Sequence, residues 1–222
     1  MSKLAVITGT SRGLGRTIAV YLLAQGWQVV GLSRDSTIRH ENYQHHYTDI
    51  KNSSEVYRAL ETVADIDLIV NNSAIFSMTT LADTSDDLID AMIDTNVKGS
   101  IWVTKAALPK LRQGSRIFFI NSVAGLEELQ KQSIYCATKY ALTAFAGVLG
   151  AELQAQGIKV TSIHPGGINT PLWNVNNPYP CGDVSSAIPP EEIAKLIDFI
   201  YNSNTNVEYK TVKLFPTSEW HQ

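Results

Sequence analysis

Short apolar runs alternate along the chain with longer segments whose apolar residues recur at helical spacing. Residues 4–8 form the first run, which is short, β-branched and followed at once by a glycine-rich turn, so it predicts a buried strand. The same reasoning predicts strands at 27–32, 67–70, 116–120, 158–163 and 210–215, and a further strand that ends before residue 49. Helical spacing predicts helices at 14–24, 54–63, 84–97 with a helical continuation to 111, 133–156 and 190–201.

Because the predicted strands carry almost no polar residues and alternate with helices, they indicate a parallel sheet covered on both faces. The expected architecture is an α/β fold, a single-domain Rossmann-type doubly wound parallel sheet of about seven strands with helices on both faces. The 222 residues suit one such domain over 1–222, and no linker or repeat divides the chain. Ligands of doubly wound sheets lie outside the carboxyl ends of the strands, so we expect functional residues just after each strand.

Composition narrows the function classes. Lysine and arginine total 18 against 21 acidic residues, and a net charge of −3 provides no basic surface for nucleic acid or an anionic membrane. Cys136 and Cys181 provide neither a disulfide framework nor a cysteine-rich zinc site. His40, His45 and His46 cluster, but without suitable ligand spacing they fit surface positions better than a metal site, so no metal is expected. No N-terminal span or signal-peptide cleavage site is evident, and a cytoplasmic location is the default expectation.

The turn after the first strand, residues 8–15, has the sequence Thr-Gly-Thr-Ser-Arg-Gly-Leu-Gly and opens directly into a helix. Glycines at these positions permit a tight turn and a close approach of the backbone to a phosphate, and the helix N-terminus adds free N–H groups. The spacing matches in full the T-G-x-x-x-G-x-G motif of the short-chain dehydrogenase/reductase family, which the chain resembles over nearly its whole length. The resemblance implies a nicotinamide cofactor held here by Gly9, Ser11, Arg12, Gly13, Leu14 and Gly15.

The end of the second strand indicates which nicotinamide cofactor is used. An acid there hydrogen-bonds the free ribose 2′-hydroxyl of NAD, but this strand ends in Ser33 and Arg34. Arg34 can bind a phosphate with its guanidinium, Ser33 can donate a hydrogen bond, and Arg12 can reach the same group. This arrangement resembles the NADP-preferring members of the family, so NADP(H) is the expected cofactor. The alternatives are that both arginines are solvated, or that Asp35 pairs with Arg34.

Three further segments are similar to family cofactor motifs. Asp49 and Ile50, after the third strand, resemble the residues that meet the adenine. Asn71 and Asn72 match the N-N-A-G pattern, whereas Ser73 and Ala74 depart from it, and the Ala74 methyl group excludes an easy positive φ. Beyond the sixth strand, the P-G-x-x-x-T segment implies contacts with the nicotinamide carboxamide from Pro165, Gly166, Ile168 and Thr170.

The strongest chemical pattern is Tyr135 followed by Lys139, which share one helix face at spacing i, i+4. Ser122 follows the fifth strand 13 residues earlier, and Asn96 lies on the preceding helix. The four resemble the family's catalytic tetrad. An adjacent ammonium is expected to lower the pKa of Tyr135, which then acts as general acid or base. By resemblance, Lys139 also holds the nicotinamide ribose, Ser122 stabilises the substrate oxygen, and Asn96 holds a water.

The loop at 171–188 is expected to act as a substrate lid. Phe76, Leu126 and Trp173 are the candidate pocket residues. No arginine or lysine lies between Pro171 and Pro190, which favours a fairly apolar ketone or aldehyde over an anionic substrate. His164 is expected to be structural.

These features predict an NADP-dependent carbonyl reductase or alcohol dehydrogenase of the short-chain family. By resemblance, we expect a homodimer or homotetramer built on helices near 86–111 and 133–156. Two alternatives remain open: an NADP-binding regulatory protein without turnover, and a 3-ketoacyl reductase. Neither the physiological substrate nor the direction of reaction follows from the sequence.

Overall fold

The computed structural model describes residues 2–219, and residues 1 and 220–222 of the expected domain lie outside the described part. One sheet of seven strands runs in the order β3-β2-β1-β4-β5-β6-β7, and every neighbouring pair is parallel. The predicted doubly wound α/β architecture is therefore confirmed. The strands are β1 (Leu4–Thr8), β2 (Gln28–Ser33), β3 (Tyr43–Tyr47), β4 (Ile66–Asn71), β5 (Leu111–Ile120), β6 (Lys159–Pro165) and β7 (Thr211–Leu214).

The helices follow the predicted order along the chain. The helix predicted to begin at residue 84 starts after Ser85, whose side chain accepts a hydrogen bond from the Leu88 amide. It then widens into a π-helical segment, Ile93–Gly99, which helical periodicity alone does not predict. The main helices are α1 (Gly13–Ala24), α2 (Ser53–Leu60), α3 (Asp86–Met92), α4 (Ser100–Ala107), α5 (Ser133–Leu153) and α6 (Pro190–Tyr201).

Side-chain alternation along the central strands builds two apolar layers. Ile69 and Phe119 are fully buried in the cluster that includes residues of α2, α4 and α5. Val70 and Phe118, their neighbours in sequence, are fully buried in the cluster that includes residues of α1 and α6. Successive strand residues point to opposite faces of the sheet, and helices cover both faces. Residues that point to either face must therefore be apolar, which explains the unbroken apolar runs in the sequence.

The strand order reverses between β1 and β4, which is where a doubly wound sheet opens a crevice at the carboxyl ends of its strands. Hydrogen bonds tie this edge together. The Thr8 hydroxyl accepts from the amides of Asn72 and Ser73, both at 2.9 Å. The Asn72 side chain donates to the Thr8 carbonyl at 2.9 Å, and the Gly9 amide donates to the Leu32 carbonyl at 2.8 Å. These hydrogen bonds thus join the carboxyl ends of β1, β2 and β4 to one another at the base of the crevice.

One helix in the described part of the chain, residues 133–156, is long and apolar enough by composition to cross a membrane. It packs against β6, and its buried face carries Leu142, Ala146 and Leu149 in the core. Burial on the sheet accounts for part of its apolar character, since 39% of the apolar stretch is buried.

Candidate active site

A single cavity of about 1160 Å³ extends along the carboxyl ends of the strands, from Arg34 at one end to Trp173 at the other. It gathers most of the residues that the sequence nominates. The predicted residues that line it are Gly9, Ser11, Arg12, Gly13, Leu14, Ser33, Arg34, Asp49, Ile50, Asn72, Ser73, Ala74, Phe76, Ser122, Tyr135, Lys139, Pro165, Gly166, Ile168, Thr170 and Trp173.

Three nominated residues lie away from the cavity surface. Gly15 lies behind the turn, where a Cβ atom would come within 2.4 Å of the Gly9 carbonyl oxygen, so its role is close packing. Asn96 is completely buried. Leu126 is not among the residues that line the cavity, so its assignment to the substrate pocket stays a prediction without support from the cavity lining. The tight turn after β5 gives the cavity-facing positions to Val123 and Glu127 instead, while Leu126 ends that turn with its amide donating to the Val123 carbonyl.

The Tyr135–Lys139 pair lies at the start of α5, beside the end of β5. Lys139 is buried, and its Nζ donates to the Ile120 carbonyl at 3.0 Å. The same Nζ lies 5.5 Å from the centroid of the Tyr135 ring. Ser122 follows β5 directly, and its amide donates to the Asn121 side chain at 3.1 Å. Helix spacing and one strand end therefore bring three of the four tetrad residues to the same wall of the cavity.

Burial governs the protonation of this pair. Desolvation raises the pKa of Tyr135, and the Ser122 hydroxyl opposes this by lowering it. Desolvation also lowers the pKa of Lys139 to about 7. The pKa of Tyr135 is therefore raised and not lowered as the adjacent ammonium predicts, because desolvation is the largest influence on it and outweighs the opposing hydrogen bond from Ser122. The phenol is held in its protonated form.

Asn96 connects three elements instead of facing the cavity. Its side-chain oxygen accepts from the Ile75 amide at 2.7 Å, and its amide group donates to the Ile75 carbonyl at 2.9 Å and to the Thr138 hydroxyl at 3.1 Å. The π-helical turn supplies this inward orientation. Both side-chain amide hydrogens donate to protein atoms, so a water bound to this residue would have to donate its own hydrogen to an Asn96 oxygen. The predicted water-binding role stays a prediction.

At the other end of the cavity, Arg12 and Arg34 are exposed, and neither makes an ion pair or side-chain hydrogen bond with residues 2–219. Asp35 does not pair with Arg34; its carboxylate accepts from the Ser36 amide at 2.7 Å. Ser33 differs from expectation because its hydroxyl already donates to the Asp35 carbonyl at 2.6 Å. Both guanidinium groups are therefore available to an anion at this end.

The residues present fit a dinucleotide. Gly9 and Gly13 have φ values of +75° and +56°, which only glycine adopts without strain. A Cβ at Gly9 would come within 2.9 Å of the Asn72 and Ser73 side chains. Ala74 has no positive φ, so its departure from the glycine of the family motif costs no backbone strain. The bare backbone of this turn leaves room for phosphates at the N-terminus of α1.

Aromatic rings form the wall beside Tyr135. Phe76 meets Tyr135 edge to face with ring centroids 4.8 Å apart, and Trp173 meets Phe76 in the same way at 5.2 Å. The sequence missed Lys213 of β7, which also lines the cavity and pairs with Glu127 across its mouth. No local signal identifies this ion pair, because strand order alone brings Lys213 next to the residues that follow β5.

A doubly wound sheet with a glycine turn at its switch point and a buried Tyr–Lys pair beside that turn defines a Rossmann-type oxidoreductase. A family model described as short chain dehydrogenase matches residues 3–179. The chain therefore belongs to the short-chain dehydrogenase/reductase family, as its motifs indicate.

Relatives and solved structures agree with this assignment. An uncharacterized short-chain type dehydrogenase/reductase of Sinorhizobium fredii is 31% identical over 98% of this chain and 92% of its own. A short chain dehydrogenase from Burkholderia cenocepacia, solved in complex with NADP, has a TM-score of 0.84 and 26% identity, with 97% of each chain covered. An alcohol dehydrogenase from Thermococcus sibiricus, complexed with 5-hydroxy-NADP, superimposes with a TM-score of 0.87 at 24% identity, covering 99% of this chain and 98% of its own.

The lowered pKa of Lys139 predicts a pH-dependent stability. Between about pH 7 and the ordinary lysine pKa of 10.5, the unfolded chain holds this proton and the folded chain has released it, so stability rises with pH. Chemical unfolding at pH 7 and pH 9 should show the free energy of unfolding of the wild type gaining about 2 kcal/mol relative to Lys139→Met. Lys105→Met, which removes an exposed charge, is the control. Parallel pH profiles for wild type and Lys139→Met would contradict the burial of an ionisable ammonium.

Proposed function

We propose that the protein is an NADP(H)-dependent oxidoreductase that interconverts a ketone or aldehyde and an alcohol. One observation carries the proposal: a single cavity joins the glycine turn and the unpaired Arg12 and Arg34 to the buried Tyr135, Lys139 and Ser122. Together with the cofactor and the substrate, the residues of this cavity provide every group that the proposed reaction requires.

The protonated phenol suits the reduction of a carbonyl. When bound, the nicotinamide cofactor supplies or accepts the hydride. As negative charge develops on the substrate oxygen, the Tyr135 hydroxyl transfers its proton to that oxygen, and the Ser122 hydroxyl donates a hydrogen bond to it. Lys139, with a pKa of about 7, can gain or release a proton near neutral pH beside the Tyr135 ring. Tyr135 is protonated at neutral pH, so it begins as the proton donor when a carbonyl is reduced.

The preference for NADP(H) rests on charge at the far end of the cavity. Two guanidinium groups, which make no ion pair or side-chain hydrogen bond within residues 2–219, lie near the end of β2, and the last residue of that strand is Ser33 and not an acid. A 2′-phosphate offers oxygens for both guanidinium groups. The similar Burkholderia cenocepacia dehydrogenase was solved with NADP, which supports this choice.

The substrate end favours an uncharged carbonyl compound. Phe76 and Trp173 present ring surfaces beside Tyr135. Lys213, the cation in this wall, is already paired with Glu127, so it is not free to hold an anionic head group. The loop over 171–188, whose residues Pro171, Leu172 and Pro180 line the cavity, is proposed to act as the lid.

We further expect a homodimer or homotetramer in the cytoplasm. The outer face of α5 exposes Val148 at 60% and Tyr140 at 38%, which suits contact with a second copy.

Replacing the proton donor tests the reaction directly. Tyr135→Phe keeps the ring that packs on Phe76 and removes the hydroxyl, so NADPH should bind as tightly as in the wild type while kcat falls about 100-fold or more. The assay follows NADPH absorbance with a panel of uncharged ketones and aldehydes, and binding is measured by the fluorescence of NADPH. NADPH binding by the wild type without turnover of any carbonyl would instead favour a regulatory protein.

Removing the two guanidinium groups tests the cofactor preference. Arg12→Ala and Arg34→Ala should each raise KM for NADPH about tenfold and leave KM for NADH nearly unchanged, because a charge-assisted hydrogen bond contributes about 1.5–3 kcal/mol. Arg39→Ala, an exposed arginine outside the cavity, is the matched control. A wild type that prefers NADH, or equal losses with both cofactors, would contradict the assignment.

A further inference from the structure

Glu219, which follows β7, reaches back across the cavity to the lid. Its Oε1 accepts from the Gly167 amide at 3.0 Å and from the Tyr179 hydroxyl at 2.8 Å. Gly167 lies just beyond β6 and Tyr179 lies within the lid, so one carboxylate oxygen joins the end of the sheet to the loop that covers the pocket. Glu219 also lines the cavity itself.

The surroundings of this carboxylate are shaped to receive it. A Cβ atom at Gly166 would come within 2.2 Å of Glu219 Oε2. A Cβ at Gly167 would come within 2.3 Å of the Tyr179 ring and 2.7 Å of Glu219 Oε1. The Glu219 carboxylate and the Tyr179 ring therefore pack against the backbone at Gly166 and Gly167, where the side chain of a larger residue would collide with them in their present positions. Tyr179 is only 6% exposed, although it belongs to a loop rich in exposed residues.

Tyr179 is the first ring of a series that ends at the proton donor. Its ring centroid lies 5.2 Å from that of Trp173, which lies 5.2 Å from Phe76, which lies 4.8 Å from Tyr135. The indole Nε1 of Trp173 is buried and makes no hydrogen bond within residues 2–219. The indole is thus held by ring contacts and not by a polar side-chain contact, and Tyr179 is the ring on its outer side.

We propose that Glu219 is a positioning residue for the substrate pocket: by fixing Tyr179, it holds Trp173 as the wall that selects large apolar carbonyl substrates beside Tyr135. This inference rests on the proposed function for its substrate, but its contacts can be tested without turnover. A carbonyl compound large enough to contact Trp173 binds more tightly when this wall is fixed, because a preformed surface does not have to be ordered on binding. A small carbonyl that occupies only the space beside Tyr135 and Ser122 gains nothing from it.

Hydrogen–deuterium exchange tests the contacts on the full-length protein. Glu219→Ala should accelerate exchange over residues 166–188, because the Gly167 amide and the lid both lose their acceptor. Tyr179→Phe should accelerate exchange in the lid and leave the Gly167 amide protected. Glu219→Gln should resemble the wild type, since its amide oxygen accepts the same two hydrogens. Glu152→Ala, an exposed glutamate on α5, is the control. Exchange in Glu219→Ala that matches the wild type would overturn the proposal.

Steady-state kinetics test the selectivity. Glu219→Ala should raise KM about fivefold for a bulky aromatic ketone, the loss expected for one hydrogen bond of about 1 kcal/mol, and change KM for a small aldehyde less than twofold. Glu219→Gln should restore the wild-type KM for the bulky ketone. Equal losses for both substrates would show a general structural role and overturn the proposal. If the wild type reduces no carbonyl, the proposed function fails, and the exchange experiment still decides the role of Glu219.

Discussion

The buried ammonium of Lys139, hydrogen-bonded to the Ile120 carbonyl, is the interaction on which the site depends. It joins α5 to the end of β5, and this connection sets Tyr135 beside Ser122 at the cavity wall. A lysine in this position cannot reach bulk water, so burial brings its pKa to about 7 while raising that of the neighbouring phenol. The same burial thus disfavours the charged form of Lys139 and holds Tyr135 in its protonated form.

The sheet explains why these groups meet a nucleotide-shaped cavity. The strand order reverses between β1 and β4, and the crevice at that point receives the glycine turn on one side and the Tyr–Lys pair on the other. Membership of the short-chain dehydrogenase/reductase family accords with this arrangement. Near Arg34 the exposed guanidinium groups have no ion-pair partner within residues 2–219, whereas beside Tyr135 the Lys139 side chain is buried and Lys213 is paired with Glu127. Besides the glycine turn, the cavity therefore offers an anion site where the proposed cofactor would carry its extra phosphate.

Local sequence is enough to predict the buried strands such as β1, β4 and β6, because residues buried on both faces of a parallel sheet must be apolar, whereas the polar and partly buried β3 lacks this signal. It is also enough to nominate Tyr135, Lys139 and Ser122, because helix spacing and a strand end place them. Three features lie beyond such reasoning. The hydroxyl of Ser33 donates to the Asp35 carbonyl, the π-helical turn directs Asn96 inward, and Glu219 binds Tyr179 across 40 positions of sequence. The orientation of Asn96 and the contact of Glu219 depend on packing between segments, whereas the Ser33 contact is local but is not indicated by apolar or helical spacing.

Following the hydrogen isotope gives the most direct test of the central claim, that this cavity reduces a carbonyl with hydride from a nicotinamide cofactor. The protein is incubated with an apolar ketone in two separate reactions, one with NADPH deuterated at the 4R position and one with NADPH deuterated at the 4S position, and the alcohol is analysed by mass spectrometry. The account predicts a single deuterium on the carbinol carbon in one of the two reactions and none in the other. Alcohol without deuterium in both reactions, or tight NADPH binding with no alcohol from any carbonyl, would contradict it.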